Sequence, residues 1–347
     1  MWLLFTCDQP DVIHDHTIDG QAVDRGCAGH GGAGGQQQLV ELGSEGQHDQ
    51  PEQAGQENEG GCGLLVGYVD DGAYSYASAD PTVLSQVLTA KYKKLEDWMN
   101  ANKLVINPDK THLMVMSDKK NSVKRKHVTI QAGEHTIKAT EKEKMLGGLL
   151  HQSLKWNAHI RDDKESLINQ LTSRLNGLRR VSVNASFSTK LMVANGIVMS
   201  KLVYLITLWG GAQQYLMNAL QVQQLVAARA VCGVGCWRWS KRKLLDKVGW
   251  LSVRQLVFFH TVLQAHKTIK SGVPKPLHQA LSGQYPYRTR RATSGMIRQA
   301  DEYKAKSSFM YRATQCFNQV PASVRVGTLA TVKGKLKQWI KSNIPID

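Results

Sequence analysis

Two adjacent aspartates close an apolar run at Tyr68-Val69-Asp70-Asp71, and no other part of this sequence is better suited to chemistry. The surrounding residues 64–78 read LLVGYVDDGAYSYAS, β-prone on both sides of the pair. That is the pattern of a tight hairpin with two carboxylates at its tip. Paired carboxylates on a rigid turn suit a divalent cation, because Mg²⁺ takes hard oxygen ligands and is commonly held by one or two carboxylates plus substrate phosphates. In two-metal phosphoryl transfer such a pair holds the ions that neutralise charge on the attacking and leaving oxygens. Asp-Asp is also common in solvated turns, so the residues that follow decide between the two readings.

The elements that must position the pair follow at once. Asp80 is a good N-cap and Pro81 fits a first helical position. Leu84, Val87, Leu88, Leu95, Trp98 and Met99 then fall close to one face of a helix running to about Asn102, which places Trp98 in the core. Residues 104–106, the turn Asn107-Pro108-Asp109-Lys110 and residues 113–116 read as short β-prone pieces around a turn. Residues 128–131 and 136–139 form a second hairpin about Gly133-Glu134, after a basic connector over 119–127. From Trp156 onward the spacing is helical, over 160–181, 189–209, 215–232, 238–248, 253–270 and 329–342, with breaks at Gly249 and 272–276.

Charge divides the chain. Residues 1–60 hold eleven acidic residues and one basic residue, whereas the remainder holds 43 Lys and Arg against 17 Asp and Glu, a net +26. A body this basic implies a polyanionic partner, nucleic acid first and an anionic membrane second. Residues 191–212 are the most apolar stretch, but Lys201 near their centre costs about 2.5–3.5 kcal/mol on insertion scales, so a buried helix is expected and no membrane partner. The six scattered cysteines read as reduced thiols of an intracellular protein, with no disulfide partner and no zinc spacing. Eleven glycines and the tract 31–38 leave residues 1–60 little to bury, and disorder is expected there. The division is therefore a Gly/Gln-rich head over 1–60, a small α+β region over 61–150 and a helical region over 151–347.

In order along the chain, four blocks resemble the reverse transcriptases of non-LTR (LINE-type) retrotransposons. They are Tyr68-Val69-Asp70-Asp71, then Leu95-Glu96-Asp97-Trp98 with Asn102 and Leu104, then Asn107-Pro108-Asp109-Lys110-Thr111, then Leu146-Gly147-Gly148 with Leu154-Lys155-Trp156 following. The segment Phe309-Met310-Tyr311-Arg312-Ala313 through Pro321 is similar to the C-terminal signature of these elements. The resemblance implies an α+β fold, a partial right-hand polymerase palm of antiparallel strands plus a helix, followed by a mainly helical thumb. It implies RNA-directed DNA synthesis with Mg²⁺ in a two-metal site, on an RNA template and DNA primer with deoxynucleotides as substrates. On it Asp70 and Asp71 ligate metal, Lys110 stands near the departing pyrophosphate, Tyr68 lies beneath the primer terminus, and Leu146, Gly147 and Gly148 run under the primer backbone.

The same family needs a third aspartate on an upstream strand, a Gly/Gln-containing block that reads the incoming nucleotide, and a fingers subdomain. None is recognisable in residues 1–63. Asp8 ends the apolar run Trp2-Leu3-Leu4-Phe5-Thr6-Cys7, but it stands too close to the hairpin to be expected as that aspartate. The change of composition near Cys62 suggests a head read from another frame or from unrelated joined DNA. A truncated enzyme with little activity alone is therefore expected. The alternatives are a non-catalytic basic module that grips nucleic acid, and a chance product of a decayed element. Trp237, Trp239 and Trp250, set among Arg238 and Lys241 to Lys243, read as packing residues before stacking ones, and Arg288 to Arg291 and the lysine-rich last helix as solvated charge.

Overall fold

The strands flanking Tyr68 and Asp71 pair as expected, but a third strand, from the start of the chain, lies beside them. In the computed structural model the described residues are 2–8, 64–68, 71–117, 127–181, 184–233, 238–282, 296–297 and 308–346. They form two units, Met1–Leu154, which is α+β, and Lys155–Asp347, which is helical. Strands β1 (Trp2–Asp8), β2 (Leu64–Tyr68), β3 (Asp71–Ser75), β4 (Thr111–Met116), β5 (Thr129–Ala132) and β6 (His135–Thr140) make one sheet in the order β2-β3-β1-β4-β6-β5. Strand β1 runs antiparallel to both β3 and β4, while β4 and β6 are parallel. Regular structure at 2–8 corrects the expectation that 1–60 carries none. The rest of that head, with its expected disorder, lies outside the described residues.

Helix α1 (Pro81–Ala101) starts where the Asp80 carboxylate accepts the Thr82 N–H at 2.8 Å. It ends in a Schellman turn, with Leu104 N–H donating to the Met99 carbonyl and Lys103 in the left-handed region at φ 59°. Its buried stripe is Leu84, Leu88, Tyr92 and Met99, packed on Leu113, Val115, Val128 and Ile130. Trp98 is 57% exposed, against the expectation of a core residue. Tyr92 takes the place in the stripe, and Trp98, one residue before Met99, is turned about 100° away from it. Residues 104–106 form no strand, although Ile106 is buried. A separate hairpin, β7 (Lys142–Met145) and β8 (Gly148–His151), closes the unit.

The helical unit begins with a π-turn at Ala158–Asp162, and the helix expected from 160 starts only as α2 (Leu167–Val181). Asp163 causes the break: its carboxylate accepts the Glu165 N–H at 2.9 Å and competes with the helix for the backbone. Similarly, the helix expected over 189–209 is α3 (Phe187–Ala194), a π-turn, α4 (Ser200–Val203) and α5 (Ile206–Trp209), bent at Leu205 with φ 55°. The remaining helices are α6 (Gln214–Cys232), α7 (Lys241–Val248), α8 (Val253–Ser271), α9 (Lys275–Leu281), α10 (Phe309–Gln319), α11 (Ala322–Arg325) and α12 (Leu329–Asn343). No helix among the described residues is long and apolar enough to cross a membrane. Cys316 is a free thiol, and burial pushes its pKa up to about 11, which makes it an inert packing group.

A buried polar chain sets the start of α8. Gln221 accepts the Val253 N–H at 2.8 Å and donates to Gln224, which in turn donates to the Leu251 carbonyl at 2.8 Å. Ser252 and Gln255 add a capping box, and the Trp250 indole N–H donates to Asn195 at 2.9 Å. Trp250 is therefore a packing residue, as expected; Trp237 lies outside the described residues. Gly210 lets the end of α5 approach α8, because a Cβ there would stand 2.7 Å from Val257 Cγ1 and 2.5 Å from the Ile206 carbonyl oxygen.

Two outcomes follow. Gly210→Ala costs about 1–3 kcal/mol through overpacking, read as a lower urea midpoint at unchanged m. His159 is 3% exposed, and burial, followed by the charge of Lys201, lowers its pKa from 6.5 to about 4. The unfolded imidazole takes up its proton first, so this contribution is whole above about pH 6.5 and is lost as pH falls towards 4, roughly 3 kcal/mol in all. Urea titrations at pH 7 and 4.5 check it: the loss of stability on acidification is smaller in His159→Gln than in the parent. Equal losses rule it out.

Candidate functional site

Register places three parts of the sequence at one end of the sheet in the first unit. Tyr68 pairs with Asp71, so the hairpin loop consists of Val69 and Asp70, which lie outside the described residues. Asp8, the last residue of β1, pairs with Asp71, the first residue of β3. On its other edge β1 pairs Cys7 with Thr111, and one further step of that register brings Asp8 level with Lys110. The structure thus brings Asp8, Asp71, Tyr68 and Lys110 to one sheet end, with the Asp70 loop beginning there. Asp8, which its closeness to the hairpin in sequence argued against as the third aspartate, nevertheless lies beside Asp71, because β1 folds back between β3 and β4.

The Lys110 turn is fixed by its own residues. The Asn107 side chain accepts the Asp109 N–H at 2.9 Å, Pro108 sets the first φ of a 3₁₀ turn (Pro108–Lys110), and Thr111 donates its hydroxyl to the Asn107 carbonyl at 3.1 Å. Thr111 itself is buried and begins β4, so the turn is anchored directly to the strand beside β1.

Leu146 and Gly147 are the two-residue loop of the β7–β8 hairpin, with φ 46° and 75°, and Gly148 opens β8. Both loop residues are left-handed, as a type I′ turn requires, yet the first is a leucine where Asn, Asp or Gly is favoured. The hairpin is held to β4 by a His112–Glu143 contact of 3.6 Å; just before it, Thr140, the last residue of β6, donates its hydroxyl to the Leu113 carbonyl at 3.2 Å. The block Leu146-Gly147-Gly148 therefore sits on a hairpin attached next to the Lys110–Thr111 turn.

The donor types at the sheet end are carboxylates, the chemistry that Mg²⁺ prefers. Aspartates directly opposite each other destabilise a bare ladder by like-charge repulsion, and a divalent cation removes that cost. Among the described residues no group of three or more His, Cys, Asp and Glu is placed to hold a metal ion; Asp70 lies outside them. Asp8 was legible as an apolar β-type run ending in an acid; what hid it was the expectation that sequence distance measures spatial distance. Comparison with protein-family models, with curated proteins and with solved structures gives no match to this chain.

Leu146→Asn gives the turn a residue that tolerates the left-handed region. It raises stability by about 1 kcal/mol, seen as a higher thermal midpoint of the full chain. A lower midpoint would mean that the leucine is held there by packing.

Proposed function

We propose that this chain is a palm-and-thumb portion of an RNA-directed DNA polymerase of the non-LTR retrotransposon type. The single observation that carries the reading is the register that sets Asp8 opposite Asp71 and level with Lys110. On this reading Asp8 would be the third aspartate, whose absence was the main objection from the sequence. Asp8, Asp70 and Asp71 would hold Mg²⁺, which lowers the charge cost of joining a primer 3′-oxygen to a nucleotide α-phosphate. Lys110 places a cation, or a proton donor, where pyrophosphate departs. Tyr68 and the Leu146-Gly147-Gly148 hairpin support the primer backbone. The basic body supplies phosphate contacts to an RNA–DNA duplex, and such contacts weaken steeply with salt.

Residues 9–63 contain no recognisable nucleotide-reading block, so extension by this chain is slow. The test is primer extension with the full chain, a DNA primer on an RNA template, deoxynucleotides and Mg²⁺. Asp70→Ala and Asp8→Ala each lower it by 10²-fold or more if both ligate metal, with duplex binding at low salt unchanged. Extension lost in Asp70→Ala but kept in Asp8→Ala would remove Asp8 from the centre. Absence of any extension, with salt-dependent duplex binding retained, would favour the non-catalytic nucleic-acid-binding module.

A further inference from the structure

The helical unit contains a cavity of about 470 Å³ that no role described above uses, between α8, α12 and the loop entering α8. Its walls are apolar, with Trp250, Leu256 and Phe259 on one side, and Lys333 and Lys337 are the charged groups that line it. The volume is about three times that of the ~150 Å³ engineered cavity that takes up benzene, and lies within the ~300–1,000 Å³ range of ligand sites. It therefore exceeds what one apolar side chain of a partner peptide would fill. A nucleobase suits it no better, since the polar edge of the base would be left without partners among these walls.

The space exists because α12 carries Ala330 and Gly334 one turn apart where it passes the walls. A helix-interior glycine costs about 1 kcal/mol against alanine. Nothing lies within 4 Å of a Cβ built at Gly334, so close packing does not require the glycine. The cavity is open to solvent along α12, where Ala330, Lys333, Gly334 and Lys337 are exposed, so its apolar wall is left in contact with water. Lys333 and Lys337, four residues apart on the same helix, add like-charge repulsion. No acidic residue lines the cavity to offset them, and the helix's acidic contact, Asp246, is made with Lys341 at 4.0 Å. All of these costs are relieved together by an occupant with an apolar body and an anionic head.

We propose that this cavity binds a long-chain carboxylate, with its alkyl chain against Trp250, Leu256 and Phe259 and its head between Lys333 and Lys337. The site is independent of the hairpin in the first unit. The probe is dodecanoate below its micelle concentration, titrated calorimetrically into the full chain, with dodecanol as the uncharged control.

One saturable site is expected, with dodecanoate bound about tenfold more tightly than dodecanol, equivalent to ~1.4 kcal/mol. Gly334→Leu fills the cavity from within, abolishes binding and raises the thermal midpoint, which separates loss of the site from loss of the fold. Lys333→Gln combined with Lys337→Gln brings the carboxylate down to the affinity of the alcohol. The proposal is overturned by binding that survives Gly334→Leu, by equal affinity for acid and alcohol in the parent, by uptake at many sites, or by no saturable binding.

Discussion

The sheet depends on one constraint: the backbone groups of β3 and β4 must be paired, and β1 is the strand that pairs both. Without it, β3 and β4 would each present an open edge, with donors and acceptors facing water and a template for aggregation. With it, the β2–β3 hairpin, the Lys110 turn and the β7–β8 hairpin are referred to one ladder. The register of that ladder, which pairs all seven residues of β1 with β3, β4 or both, decides which acid stands opposite which. A slip of one residue would separate Asp8 from Asp71 and turn every side chain of the strand to the other face.

The helical unit rests on a different device. Its core is almost wholly apolar, and an apolar core alone tolerates several packings. Gln221 and Gln224 remove that freedom, since each is buried and can satisfy its amide only with the loop entering α8 held where it is. The neighbouring contact from Trp250 to Asn195 ties the same loop to the π-turn after α3. Gly210 then permits α5 to close against α8 at a distance no other residue allows. Three local choices therefore fix the position of α8 and, with it, the walls of the cavity.

Much of this was legible in the residues. Caps and turns read well, because Asp80-Pro81, Asn107-Pro108 and Gly133-Glu134 act over a few bonds and need no tertiary context. The hairpin at Tyr68 and the long helices α6, α8 and α12 read well for the same reason. Tertiary choices did not. Trp98 and Tyr92 flank the Leu84, Leu88 and Met99 stripe of α1 on opposite sides, and only the strands beneath decide which is covered. Helix breaks at Asp163 and Leu205 depend on a side-chain hydrogen bond and on a backbone conformation that apolar periodicity does not reveal. The pairing of Asp8 with Asp71 required a strand to cross the whole head of the sequence, and spacing along a chain carries no information about such a return.

That return has a consequence for assembly. Strand β1 precedes both of its partners along the chain, and neither exists until residue 75 and then residue 116 have followed. The β2–β3 hairpin closes locally in microseconds, whereas β1 must await both neighbours and enter between them. Of these three strands, the one made first is thus the last to find its place. Each nascent chain carries an apolar, unpaired β segment through most of the synthesis of its first unit, the interval in which a chaperone would have its longest hold on this protein.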